Sequence, residues 1–137
     1  MPADLFIDSN ILVYAHDRDA GTKHEKAKQR LEEAWQGAEP ASISVQVLQE
    51  FFINLARLGV PVAEARSAAR DYASWRVVEN TVSLMESGID EMARWQTSFW
   101  DGLIIAAARH AGATTLWTED LNEGQDYGGL RVVNPLR

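Results

Sequence analysis

Cysteine is absent from this sequence of 137 residues, and its absence removes several chemistries together. The chain has no disulfide, no thiolate zinc site and no cysteine nucleophile. A bound metal ion would therefore need oxygen ligands or the three histidines, His16, His24 and His110. These histidines are scattered and show no motif spacing, so hard cations on oxygen ligands are the metal class that the sequence favours.

Long apolar runs are also missing. No stretch of about 18 apolar residues is present, which excludes a conventional membrane-spanning helix, and the N-terminus lacks the basic-then-apolar pattern of a secretory leader. We therefore expect a cytoplasmic protein with no membrane association. The content of 46% hydrophobic and 24% charged residues suits one globular domain over residues 1–137.

Positive charge is scarce: 13 Lys and Arg residues face 20 Asp and Glu residues, for a net charge of −7. This balance argues against a broad basic surface for nucleic acid, although bound divalent cations would reverse the sign locally. All three lysines, Lys23, Lys26 and Lys28, lie in one short segment. Because Glu25 lies among them, we interpret the segment as a solvated helix face rather than a phosphate-binding strip.

Short β-branched or apolar runs alternate with longer stretches of helical periodicity, which predicts an α/β domain with a mostly parallel sheet of four or five short strands. The predicted strands cover 5–7, 41–44, 75–78, 114–117 and 130–133. The predicted helices cover 9–16, 22–36, 45–58, 62–74 and 81–95, and a last helix runs from Ser98 to about Gly112. Thr22 and Glu25 have the spacing of a capping box at the start of the second helix.

Four carboxylates are the candidate functional residues. Asp8 ends the first strand, Asp120 follows the strand that ends at Trp117, and Asp101 lies in the first turn of the preceding helix. Functional crevices in open parallel sheets lie beyond the carboxyl ends of the strands, where these three acids are expected. Glu50 differs because it lies inside an otherwise apolar helix.

Each acid also has an ordinary structural interpretation. Asp8 is a good N-cap for the helix that starts at Ser9, and Asp101 has capping-box spacing from Ser98. Asp120 has the character of a loop acid, and Glu50 is able to reach water from the edge of its helix. For each residue alone these alternatives remain open.

The four acids together favour a metal site. Two carboxylates about 4 Å apart repel by roughly 4 kcal/mol at an effective dielectric constant near 20, so a convergent set takes up protons or binds a cation. Mg²⁺, with Mn²⁺ as the second choice, prefers such oxygen ligands and often binds a substrate phosphate as well. The chemistry that follows is metal-assisted hydrolysis of a phosphodiester.

Four segments resemble the PIN domain family, in particular the VapC-type toxins of bacterial toxin-antitoxin pairs. They are FIDSNILVY at 6–14, LQEFF at 48–52, SFWDGLIIAAA at 98–108 and TEDLN at 118–122, and the closing GGLRVVNP at 128–135 is also typical. The likeness covers nearly the whole chain in the family order.

The resemblance implies a three-layer α/β/α fold and metal-dependent endoribonuclease activity. It makes Asp8, Glu50, Asp101 and Asp120 the ligands of magnesium, directly or through water. Nearby polar residues would orient the ligands: Ser9, Asn10, Thr118 and Asn122. It also implies an RNA substrate, a homodimer and a cognate antitoxin. Glu119 and Asp120 are adjacent acids, and either of them could face the metal. Asp120 is preferred by its position in the motif.

Three other interpretations compete with the ribonuclease. A non-catalytic PIN-like module that binds RNA or a protein partner is disfavoured because all four acids are present. A DNA-directed nuclease would share the metal chemistry, and the sequence does not distinguish it from a ribonuclease. A receiver-like phosphoacceptor would need a lysine near the late strands, and none occurs after Lys28. Trp100, beside Asp101, is the tryptophan best placed to stack on a nucleic-acid base.

Overall fold

The computed structural model describes residues 4–137. The strands are β1 (Leu5–Ile7), β2 (Ser42–Ser44), β3 (Arg76–Val78), β4 (Thr115–Trp117) and β5 (Arg131–Val133). The helices are α1 (Ser9–His16), α2 (Thr22–Gln36), α3 (Val45–Arg57), α4 (Val62–Tyr72), α5 (Val82–Trp95) and α6 (Phe99–His110), and a short 3₁₀ turn spans Arg18–Ala20.

The five strands form one sheet in the order β3-β2-β1-β4-β5, and every pairing between neighbouring strands is parallel. The chain moves in one direction from β1 to β3 and then crosses to the other side of β1. Because crossovers between parallel strands are right-handed, α1–α4 cover one face of the sheet and α5–α6 cover the other. The predicted three-layer α/β fold is confirmed.

The core lies between the sheet and both helical layers. The central strands contribute side chains with no exposed surface, including Phe6, Ile43 and Leu116. On one face α6 is buried from Gly102 to Ala108, which explains why this helix lacks an amphipathic pattern. None of the helices within residues 4–137 combines the length and apolarity needed to cross a bilayer.

Besides α1, which Asp8 caps, three helices begin at side-chain caps that satisfy backbone N–H groups of the first turn. Ser44 accepts from the Val47 N–H group, Thr81 from Leu84 and Ser98 from Asp101. The capping box predicted at Thr22 and Glu25 is wrong.

Helix α2 instead follows Gly21, and no side-chain cap bond is present at its start. Gly21 has φ of 65°, a conformation that glycine adopts without steric cost. The turn into α2 therefore depends on this glycine rather than on a hydroxyl cap.

Helices α5 and α6 approach each other through two glycines. A Cβ atom on Gly102 would lie 2.6 Å from the carbonyl oxygen of Gly88 and 2.8 Å from the backbone nitrogen of Met92. These distances are far too short for a real contact, so only glycine fits at position 102. Since Asp101 precedes this contact, the packing of α6 on α5 also fixes the position of that acid.

The arrangement of strands defines where a crevice opens. After β1 the chain turns toward β2, while β4 lies on the other side of β1. At such a switch point the connections that follow the two neighbouring strands lead away from each other. This leaves a gap at the carboxyl ends of the strands. Asp8 directly follows β1 and Thr118 directly follows β4, and the Asp8 N–H group donates to the Trp117 carbonyl over 2.9 Å.

Candidate active site

Asp8 lies at the centre of the crevice with only 5% of its surface exposed. It is the N-cap of α1 and accepts from the Ser9 N–H group at 2.7 Å, while its other oxygen accepts from the Thr118 hydroxyl at 2.8 Å. The capping interpretation of Asp8 is therefore confirmed, and the capping side chain lies in the crevice.

The environment of Asp8 disfavours the ionised form of its carboxyl group. Burial raises its pKa from 3.8 to about 7, and the carboxylates of Glu50 and Asp120 push in the same direction. The hydrogen bonds from Thr118 and Ser9 oppose the rise but do not cancel it. A buried carboxylate of this kind is neutralised by a proton or by a cation.

Glu50 reaches the same crevice from α3. The Ser9 hydroxyl donates to Glu50 Oε1 at 3.0 Å, and Gln46 Nε2 lies 3.4 Å from Glu50 Oε2. Gln46 also lies 3.4 Å from the carbonyl oxygen of Trp100 at the start of α6. Glu50 is thus half-buried and linked through Ser9 to Asp8, rather than extended into water.

Gln46 is a residue that sequence reasoning missed. It is 4% exposed and joins the helix of Glu50 to the helix of Asp101. A polar residue four positions before Glu50, on the core-facing side of a helix, was the signal available in the sequence.

Asp120 is held over the end of β4 by polar groups from α1. Asn10 Nδ2 donates to Asp120 Oδ2 at 3.0 Å and to Thr118 Oγ1 at 3.1 Å. Thr118 Oγ1 also accepts the Asp120 N–H group at 3.1 Å. Since Thr118 donates to Asp8, these bonds form one continuous chain from Asp8 to Asp120.

Asp101 approaches from the first turn of α6. Its N–H group donates to the Ser98 hydroxyl, so the Ser98 half of the capping box predicted from the spacing is present. Burial raises the pKa of Asp101, and the charge of Asp120 raises it further. The two carboxylates are therefore within Coulombic range of each other.

The neighbouring acids Glu119 and Asp120 face different partners. Glu119 accepts from the Tyr14 hydroxyl and pairs with Lys23 at 3.1 Å, whereas Asp120 is turned toward Asn10. The structure thus favours Asp120 as the acid of the crevice.

Asn122 is the one predicted orienting residue that the geometry does not bring to the others. Its amide donates to Gln125 at 3.0 Å within its own loop. Ser9, Asn10 and Thr118, by contrast, each contact a predicted ligand.

The donor set is compatible with a hydrated divalent cation. Among residues 4–137 no three Asp, Glu or His side chains are already gathered at metal-binding distance, so four simultaneous direct ligands do not fit this geometry. Mg²⁺ usually binds only one or two carboxylates and keeps several waters. The buried Asn10 Oδ1 atom also has no hydrogen-bond partner in the described chain, and the amide nitrogen of the same side chain donates to Asp120.

Comparison with known proteins places these residues in a family. The PIN domain model matches residues 5–123, and the chain therefore belongs to the PIN domain family. Ribonuclease VapC24 of Mycobacterium tuberculosis, in strains CDC 1551 and H37Rv, is 27% identical over 144 residues, which cover 96% of this chain and 97% of the relative.

Two solved structures share the fold. A toxin-antitoxin complex from Klebsiella pneumoniae has a TM-score of 0.69 at 20% identity and covers 96% of this chain and 97% of its own. M. tuberculosis VapC20, described as a sarcin-ricin loop cleaving toxin, has a TM-score of 0.66 at 24% identity, with coverage of 85% and 91%.

Proposed function

We propose that residues 1–137 form a single nuclease domain that hydrolyses RNA with divalent metal ions and acts as the toxin of a type II toxin-antitoxin system. The observation that carries the proposal is the buried Asp8 carboxylate, joined by hydrogen bonds to the residues that hold Glu50 and Asp120. Membership of the PIN family and the likeness to Ribonuclease VapC24 support RNA as the substrate.

Asp8, Glu50, Asp101 and Asp120 would hold the cation, with Mg²⁺ preferred and Mn²⁺ acceptable. When bound, such a cation neutralises charge on the scissile phosphate and activates water for in-line attack. The chain supplies the orientation: Ser9, Thr118 and Asn10 fix the carboxylate oxygens through hydrogen bonds, as outer-shell groups do at metal sites. The expected products carry a 5′-phosphate on one fragment.

The partners follow from the proposed role. We expect a cytoplasmic homodimer that a cognate antitoxin inhibits, and the structural similarity to a chain from a toxin-antitoxin complex supports the antitoxin. Since the present chain carries a net charge of −7, the antitoxin is expected to present basic residues to it.

Cleavage assays test the proposal directly. Purified protein is incubated with cellular RNA in Mg²⁺ or in EDTA, beside the variants Asp8→Asn and Asp101→Asn. Asp90→Asn is a matched control because Asp90 is an exposed helical aspartate on α5. We expect cleavage only in Mg²⁺ and only by the parent and the control.

Equal cleavage by all four proteins would contradict the assignment of the acids. Faster cleavage of a DNA competitor than of RNA would replace the ribonuclease by a DNA-directed nuclease. RNA binding by the parent without cleavage in Mg²⁺ would favour a non-catalytic PIN-like module.

A further inference from the structure

Lys23 occupies a position at the rim of the candidate site that its sequence context did not indicate. It lies in the first turn of α2, and its Nζ atom is 3.1 Å from Glu119 Oε2 and 3.4 Å from the Tyr14 hydroxyl. The ammonium also lies 4.9 Å from the centroid of the Tyr14 ring. Because Glu119 precedes Asp120, this cation stands directly beside the loop that carries a predicted metal ligand.

The placement of Lys23 is distinct from that of the other paired cations. Within residues 4–137 the remaining ion pairs join Arg30 to Glu33, Arg76 to Glu39, Arg109 to Glu91 and Arg137 to Glu123. None of these carboxylates adjoins one of the four acids in sequence. A polyanion that approaches the loop of Glu119 and Asp120 on this acidic protein therefore meets the Lys23 ammonium.

The surroundings of Lys23 hold it in place and leave it accessible. The Tyr14 hydroxyl donates to Glu119, and the His24 ring lies 2.9 Å from the Tyr14 carbonyl oxygen, which ties the start of α2 to α1. The Lys23 side chain is 50% exposed. An ammonium has three N–H donors, and only two have acceptors among the described residues.

We propose that Lys23 binds a phosphate of the RNA backbone adjacent to the scissile phosphate, and that Tyr14 and Glu119 position its ammonium for this contact. The inference rests on the proposed ribonuclease function. Lys23 carries no chemistry in the cleavage step, so it is a substrate-binding residue. The lysine segment was interpreted above as a solvated helix face, and the proposal changes that interpretation for Lys23 alone.

The competing explanation is that Lys23 only neutralises Glu119 and stops that carboxylate from repelling RNA. The two explanations differ in a double variant. If neutralisation is the whole role, removing both charges in Lys23→Gln/Glu119→Gln restores parental kinetics. If Lys23 contacts phosphate, the double variant lacks that contact and stays weaker than Glu119→Gln alone.

The experiment measures cleavage and binding of a labelled single-stranded RNA oligonucleotide of mixed sequence across a salt series in Mg²⁺. Binding is measured on an Asp101→Asn background to prevent turnover. The test variants are Lys23→Gln, Glu119→Gln and the double variant Lys23→Gln/Glu119→Gln. Lys23→Arg is the charge-conserving rescue, and Lys28→Gln is the matched control, since Lys28 is an exposed lysine on the same helix.

We expect Lys23→Gln to raise KM about fivefold with little change in kcat, the size of one exposed charge contact. The slope of log affinity against log salt should become shallower by about 0.7, the value for one phosphate contact on a single strand. Lys23→Arg should retain both parental values, and Lys28→Gln should match the parent.

An unchanged salt slope in Lys23→Gln, or full recovery in the double variant, would overturn the inference while leaving ribonuclease activity intact. Absence of cleavage by the parent would instead defeat the proposed function, and the binding measurement would then still decide the role of Lys23. An RNA that does not bind the Asp101→Asn protein at all would overturn the inference too.

Discussion

Replacing Asp8 with asparagine is expected to stabilise the metal-free protein. Asp8 is 5% exposed, and burial raises its pKa from 3.8 to about 7. A rise of that size means that the folded protein with an ionised Asp8 is less stable, by about 4 kcal/mol, than the folded protein with a protonated Asp8. Asparagine carries no charge, keeps the side-chain oxygen needed to cap α1 and therefore escapes this cost.

The direction of the pH dependence follows from the raised pKa. The folded protein holds the Asp8 proton up to about pH 7, whereas the unfolded chain releases it near pH 4, so stability decreases as pH rises through this window. From about pH 5.5 to about pH 8 the metal-free parent should lose about 2 kcal/mol through this group. The loss levels off above the folded-state pKa.

The substitution also has a local cost. The Thr118 hydroxyl donates to Asp8 Oδ2, and an amide nitrogen at that position would remove the bond at a cost of about 1 kcal/mol. The expected net gain for Asp8→Asn is therefore about 3 kcal/mol at about pH 8 and about 1 kcal/mol at about pH 5.5.

Urea denaturation in EDTA measures these differences, and the five tryptophans provide the fluorescence change. Asp90→Asn, with an exposed side chain, is expected to have the stability of the parent at both pH values. If Asp8→Asn were destabilised at about pH 8, or if its effect were the same at both pH values, the account of a buried, charge-disfavouring site would be refuted.

Three further predictions concern packing and substrate contact. Arg109→Gln leaves the nearly buried Glu91 without its 2.8 Å partner and should cost about 3 kcal/mol in urea denaturation. Gly102→Ala forces a Cβ atom against the Gly88 carbonyl and should lower stability by about 1–3 kcal/mol; an unchanged midpoint would contradict the tight helix crossing. Trp100 is 61% exposed, so Trp100→Ala should spare stability but raise KM about tenfold if a base stacks on it.

Much of the fold was predictable because local patterns and tertiary structure agree. Strand and helix bounds followed from apolar runs, helical periodicity and caps such as Ser98, and the structure shifts them by only one or two residues at most ends. The bounds of α2 are also as predicted, but the capping box at its start is not present. A threonine and a glutamate at capping-box spacing suggested a side-chain cap, but Gly21 makes the turn through its backbone.

The candidate site was only partly predictable. Asp8 and Asp120 could be located because each follows a parallel strand, and parallel strands end at one edge of the sheet. The contacts of Glu119 could not be predicted, because they depend on Lys23, which contacts Glu119 from 96 positions away in the chain. Gln46 was missed for a similar reason, since its link to α6 depends on how two helices pack.

Binding of Mn²⁺ to the RNA-free protein, followed by electron paramagnetic resonance, tests the central claim most directly. The claim is that acids from separate parts of the chain together bind a divalent cation at one site. We predict saturable binding by the parent and by Asp90→Asn, and loss of at least tenfold in affinity in Asp8→Asn and Asp101→Asn, in line with about 1.4 kcal/mol or more per lost ligand. Equal Mn²⁺ affinity in all four proteins would contradict the account.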